Sequence, residues 1–216
     1  MTGDNSPNEP APNCRLCPRL VKLRTKCRRN HPDWHNSPVS AFGRLDSRLL
    51  IVGLAPGLRG ANRTGRPFTG DAAGGYLFRM LIQYGFASGH YDDDAQDDLA
   101  LQDTRITNAV RCLPPENKPV AEEVNACRRF LKAEMSAMPR LGSILTLGKL
   151  AHDATLRAFD LKVSAYPFRH AGDWQIDAGG RKIRLISSYH CSRYNTQTGR
   201  LTDDMFSHIF RILREG

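Results

Sequence analysis

No stretch of this 216-residue sequence is apolar for long enough to cross a membrane. The longest such run, residues 49–58, contains glycine and proline and is about half the ~20 residues a span requires. The first thirteen residues, MTGDNSPNEPAPN, have neither the basic start nor the apolar block of a secretory signal. The chain also lacks G-x-x-x-x-G-K-[ST] and G-x-G-x-x-G, so its glycines do not read as a nucleoside-triphosphate or dinucleotide loop. No internal repeat is visible. Acidic residues are in deficit: 22 Asp plus Glu face 31 Lys plus Arg, leaving a formal charge of +9. An excess of that size suits a polyanionic partner, although solubility accounts for part of it.

Six cysteines are present, at 14, 17, 27, 112, 127 and 191. A chain long enough to bury its own core does not need disulfides, and a reducing compartment would not keep them. The pair in C14-R-L-C17 is the stronger signal. Two thiolates on one segment commonly grip half of a metal centre, and the other half must then come from elsewhere. Alone, the pair is equally compatible with a redox dithiol or with chance.

Residues 1–13 read as a flexible leader, and residues 14–216 as one domain. Seven Lys and Arg with no acidic residue between 14 and 29 predict a short basic helix that faces an anion. The apolar run over 47–53 predicts a central parallel strand. A glycine-rich loop to Asp71 and a helix over 72–84 follow. An acidic connector, read as solvated, spans 88–103. Further strands are expected over 105–110, 143–147 and 184–188, the last entered from a hairpin within 166–186. Helices are expected from 117 to about 135, with Pro119 in the first turn, then to 159, and over 201–213. The alternation predicts an α/β fold: a single three-layer αβα domain with a small, mostly parallel central sheet.

In such sheets ligands sit outside the carboxyl ends of the strands. The loop beginning at Gly53 holds Ala55, Phe68 and Asp71. Phe68 is either core or a stacking plate, and Asp71 either caps the next helix or acts on a ligand. In the second loop, Cys112 ends a strand, and Asn117 either caps a helix or offers its paired donor and acceptor to a base edge. In the third, His190 opens a polar stretch with Ser192 and Arg193, a placement that favours function over structure. By contrast, Pro32 and Trp34 spoil the apparent Cys27, His31, His35 metal spacing. His152, His170 and His208 read as structural.

Taken together, CRLCPRL, LLIVGLAPG, NRTGRPFTGD, TNAVRCLPPENKP, LTLGKLAH and the His190 loop with NTQTGRLT resemble the iron–sulfur branch of the uracil-DNA glycosylase superfamily, most closely family 5, the UDGb type. The resemblance implies a four-iron four-sulfur (4Fe-4S) cluster on Cys14, Cys17, Cys112 and Cys127. It implies hydrolysis of the bond between a damaged base and deoxyribose after the base is flipped out of the stack. His190 then matches the donor to the departing base anion, and Asp71 the carboxylate that stabilises the cationic sugar or orients water. Phe68 matches the stacking plate and Asn117 the edge reader. Gly53 and Ala55 lie in the first motif, where Leu54 and Ala55 replace the acidic or amide residues of other branches, as in family 5. That family accepts uracil, hypoxanthine, ethenocytosine and other altered bases.

Where the superfamily usually has Pro after the histidine, this chain has Cys191. Ser192 and Arg193 still suit a groove and phosphates. The resemblance further implies a monofunctional, monomeric, cytoplasmic prokaryotic enzyme acting at the nucleoid, with Lys149 not a lyase nucleophile. A non-catalytic iron–sulfur nucleic-acid-binding protein, or a zinc or redox protein, are the alternatives.

Overall fold

The structure is a computed structural model, and it describes residues 9–215. In chain order its elements are α1 (Pro18–Asn30), β1 (Leu49–Gly53), α2 (Ala61–Thr64), α3 (Ala72–Gln83), β2 (Ala87–Ser88), β3 (Ala100–Leu101), β4 (Thr104–Asn108), α4 (Ala121–Ala137), β5 (Ser143–Leu147), α5 (Lys149–Ala158), β6 (Gly172–Asp177), β7 (Lys182–Ser188), α6 (Arg193–Gln197) and α7 (Asp203–Arg214).

The main sheet has the order β4-β1-β5-β7-β6, with β6 antiparallel at one edge and the others parallel. All five residues of β1 are buried, as its unbroken apolar run requires. Its alternate side chains feed two cores. Leu50 and Val52 join Leu20 of α1, Val124 and Leu131 of α4, and Ala151 and Ala154 of α5. Leu49 and Ile51 join Leu77 and Phe78 of α3 and Phe206 and Phe210 of α7. Helices therefore cover both faces, and the fold is the three-layer αβα arrangement expected. Among the described residues no helix is long and apolar enough to cross a membrane.

Several details differ from expectation. Residues 1–8 of the expected leader lie outside the described residues. Residue 9 already belongs to the domain: the Glu9 carboxylate accepts from the Ala41 N–H at 3.0 Å and pairs with Arg111. The helix expected from 117 starts at 121. Glu116 and Asn117 both have φ +55°, a left-handed backbone that cannot continue an α-helix. The Glu123 carboxylate accepts from the Val120 N–H at 2.9 Å, which sets the start one turn later.

The acidic connector is not merely solvated. Asp97 is buried and forks onto buried Arg66 at 2.5 and 2.6 Å, while the same guanidinium lies over the Phe42, Phe78 and Tyr91 rings. Its Nε also donates to Thr69 at 2.8 Å, so this pair fixes the glycine-rich loop from within. Nor is the basic helix free of counter-charge. Arg19 pairs with Glu123, Arg24 is buried and donates to Cys14 O and Cys112 Sγ, and Arg28 holds residues 12, 13, 36 and 37.

Candidate active site

The loop after β1 runs toward β4 on one side, and the loop after β5 leads toward β7 on the other. The carboxyl ends of β1 and β5 therefore part, leaving the crevice where open α/β sheets take ligands. A cleft of about 590 Å³ occupies that place. Its walls include Ala55 after β1, Asp71 at the start of α3, Asn117 after β4, Lys149 after β5, and His190 and Arg193 after β7. Ser192 lines it as well.

Asp71 is both things the sequence left open. Its backbone is extended, and one carboxylate oxygen accepts from the Gly74 N–H at 3.0 Å, so it caps α3. Its other oxygen points toward Gly57 and Gly60, and a Cβ at Gly60 would overlap it. Glycine at 60 thus keeps room for a carboxylate that faces the cleft.

His190 sits half-buried at the end of β7, with its ring 5.9 Å from that of Phe68 and only 23° from parallel. Its ring nitrogens have no hydrogen-bond partner among the described residues, and its backbone carbonyl accepts from Asn195 Nδ2 at 2.8 Å. Burial pushes its imidazole below the ordinary value, while the Asp71 carboxylate pulls the other way. The burial of the ring thus favours its neutral form. Cys191 is buried, its thiol donating toward Ala73 O at 3.5 Å in the first turn of α3. Cys191 therefore joins the His190 loop to the helix that Asp71 caps.

Phe68 is a buried ring held at φ +54°, a strained setting outside glycine, asparagine and aspartate. The Arg66–Asp97 pair and the Tyr91 hydroxyl, which donates to Phe68 O at 3.3 Å, hold the loop there. The ring edge lies across Gly53, and a Cβ on Gly53 would strike both it and the Asn108 side-chain oxygen. That contact gives Gly53 its role and reveals a residue the sequence reading missed. Asn108 ends β4 beside Gly53, is buried, and makes no side-chain hydrogen bond among the described residues. Asn117, preferred from the sequence, is exposed at the cleft mouth. No local signal marks Asn108, because β4 reads Thr-Arg-Ile-Thr-Asn and the buried amide gains its meaning only from Gly53 and Phe68 beside it.

The four cysteines meet elsewhere. Cys14, Cys17, Cys112 and Cys127 all line one small, largely apolar cavity between the start of α1, the loop after β4, and α4. Among the described residues no group of three or more metal-ligating side chains converges as a single ion would require. Burial, reinforced by the neighbouring cysteines, pushes the Cys17 thiol up to about 11 and that of Cys112 up to about 12. Two donors face the sulfurs: Arg24 reaches Cys112 Sγ at 3.6 Å, and the Arg111 N–H reaches Cys127 Sγ at 3.3 Å. Four soft donors spread around one small cavity, with cationic and N–H groups aimed at the sulfurs, fit a polynuclear centre better than a single tetrahedral ion.

A family model described as the uracil DNA glycosylase superfamily matches residues 40–214. The chain belongs to the uracil-DNA glycosylase superfamily. Among its relatives, a type-5 uracil-DNA glycosylase of Thermus thermophilus is 46% identical over 202 residues, covering 91% of this chain and 90% of that protein. A type-5 uracil-DNA glycosylase of Pyrobaculum aerophilum is 38% identical over 203 residues, 92% of this chain and 87% of its own length. A type-4 uracil-DNA glycosylase of Archaeoglobus fulgidus is 31% identical over 153 residues, 70% and 69% of the two chains. Within the superfamily the similarity is stronger to the type-5 members than to this type-4 one, in line with the small apolar first motif.

The histidines of this superfamily member give its fold a pH dependence. Burial holds His152, His170 and His190 below the ordinary value of 6.5. The fold therefore favours their neutral forms, and just below 6.5 the unfolded chain binds more protons. Their stabilising contribution is present in full above that value and is lost as pH falls toward the folded-state values. Thermal midpoints are expected to drop between about pH 7.5 and about pH 5. Midpoints that stay level or rise would contradict it.

Proposed function

We propose that this chain is a monofunctional DNA glycosylase that hydrolyses the bond between uracil and deoxyribose in DNA. The observation carrying this reading is the convergence of Asp71 and His190, from separate elements, on one cleft at the strand ends. Breaking the bond leaves a sugar with cationic character and a base anion. His190, whose burial favours the neutral form and whose ring has no partner among the described residues, serves as donor to the anion, and Asp71 supplies negative charge for the sugar. Water completes the reaction at the sugar carbon; Leu54 and Ala55 have no group to activate it, so Asp71 orients it. The proton balance closes when the attacking water releases a proton to solvent as it bonds to the sugar and the departed base anion takes one up.

The flipped base stacks on Phe68, and Asn108 reads its edge, since one amide offers the acceptor and donor that the uracil N3–H and O4 require. Small walls at Ala55, Gly57, Ala72, Ala73 and Gly148 leave room for larger altered bases, which supports a substrate range beyond uracil. Arg193 and Lys149 at the mouth suit phosphates. Cys14, Cys17, Cys112 and Cys127 would hold a 4Fe-4S cluster, whose irons would keep the four thiolates ionised and cross-link α1 to the loop after β4. Iron and sulfide assays are expected to match one cluster per chain, and Cys112→Ser to lose both colour and iron; bound zinc in place of iron would overturn the assignment.

The function itself is tested with a duplex carrying one uracil. Free uracil plus an alkali-labile abasic strand is the expected outcome. An intact strand at saturating binding would instead favour a non-catalytic nucleic-acid-binding protein.

A further inference from the structure

Of the basic residues in α1, Arg19, Arg24 and Arg28 are taken up by internal partners, but Lys22, Lys26 and Arg29 are not. All three are exposed, and none has an ion-pair partner among the described residues. Their spacing of four and three residues puts them on one face of the helix, a stripe about 10 Å long. Like charges at these spacings weaken an isolated helix, and here no carboxylate relieves them. The opposite face is committed to the core through Leu20, Arg24 and Cys27.

The stripe also forms one wall of a groove, shared with Leu23 and closed on the far side by Pro115. Pro115 is two residues from Asn117 at the mouth of the catalytic cleft. The groove and the cleft are therefore neighbours along a single turn, Pro115–Asn117. One strand of duplex DNA presents a phosphate every ~3.4 Å along its axis, so a stripe of this length spans about three phosphates.

We propose that Lys22, Lys26 and Arg29, with the Pro115 wall, form a second DNA-contact surface that grips the sugar-phosphate backbone flanking the damaged nucleotide, outside the catalytic cleft. The inference rests on the reading of the chain as a DNA enzyme, and it adds where the flanking strand runs. The surface carries no sequence information. It holds the flanking strand where that strand passes the turn at Pro115, and so adds affinity without touching the reacting atoms. Within α1, Arg24 reaches Cys112 Sγ at 3.6 Å and ties the helix carrying the stripe to the same loop.

The test uses full-length protein with its metal content intact, the triple variant Lys22→Ala/Lys26→Ala/Arg29→Ala, and the single reversal Lys26→Glu. Binding of an undamaged duplex of about 30 base pairs is followed by fluorescence anisotropy across a salt series, and single-turnover excision is measured at saturating protein. The triple variant is expected to bind about 10-fold or more weakly at moderate salt, with the slope of log K against log salt shallower by about 2–3. Lys26→Glu should weaken binding further than neutralising that one position, and saturated excision should keep the wild-type rate in all variants. Unchanged affinity and slope, with excision intact, would overturn this surface and leave the glycosylase reading standing. A wild-type protein indifferent to DNA would overturn both. Normal DNA binding by the variants with lost capture of anionic vesicles or of an acidic polypeptide would reassign the stripe to that partner.

Discussion

Replacing His190 by alanine is expected to lower the single-turnover rate of uracil excision by about 100- to 1,000-fold, equivalent to about 2.7–4 kcal/mol of transition-state stabilisation. Affinity for the abasic product should change by only a few-fold. The size of the effect follows from the setting of the ring. It is partly buried, held toward its neutral form, stacked against Phe68, and free of any hydrogen bond to the described residues, so its N–H serves the departing base without first breaking another contact. Donors preorganised in this way act mainly on charge that develops as the bond breaks, and less on the bound ground state. Equal losses in rate and in product affinity would make His190 a binding residue instead.

The largest expected effect on stability lies behind the cysteine cavity. Arg111 and Glu134 form an ion pair, each 1% exposed, and Arg105 reaches the same carboxylate at 2.7 Å. Glu9 closes the group by pairing with Arg111 at 3.2 Å. Two guanidinium groups thus share two carboxylates in the interior. Glu134→Ala removes one and strands buried positive charge, which typically costs about 3–5 kcal/mol. For a domain of this size the thermal midpoint should fall by roughly 6–20 °C. Arg44→Ala, which breaks a pair in which Arg44 is 82% exposed, is the control and should shift the midpoint hardly at all. If the two substitutions cost the same, the buried group is not a stability determinant. The network also has a local consequence, because the Arg111 N–H that donates to Cys127 Sγ is held by the same residue.

Much of the fold was readable because its strands carry strong local signals. The run through residues 49–53 is apolar on both faces, which only a covered parallel strand needs, and Thr202 and Asp71 cap their helices as their side chains permit. The misreadings came where tertiary contacts override composition. Asp97 looked like one more solvated acid in an aspartate-rich connector, yet it is the buried partner of Arg66 and so holds the Phe68 loop in place. Three of the seven basic residues read as an open cationic face are taken up by partners within the chain, and one of them, Arg24, is buried. Left-handed backbone at Glu116 and Asn117 is invisible in a sequence that offers Pro119 as an attractive helix start. In the site, Asp71 and His190 were legible because both stand next to breaks in regular structure. Asn108 was not, because its meaning depends on Gly53 and Phe68, 55 and 40 positions away, arriving beside it.

Asp71 offers the most direct test of the account, because its helix-capping and electrostatic roles can be separated. Asn caps helices about as well as Asp, so Asp71→Asn keeps the start of α3 while removing the negative charge. The decisive measurement compares affinity for a duplex holding a cationic pyrrolidine in place of the deoxyribose with affinity for one holding a neutral tetrahydrofuran. The wild-type protein should prefer the cationic mimic strongly, and Asp71→Asn should lose that preference while binding the neutral duplex as before. The same preference in both proteins would mean that the carboxylate only caps a helix, and the proposed division of charge between Asp71 and His190 would be wrong.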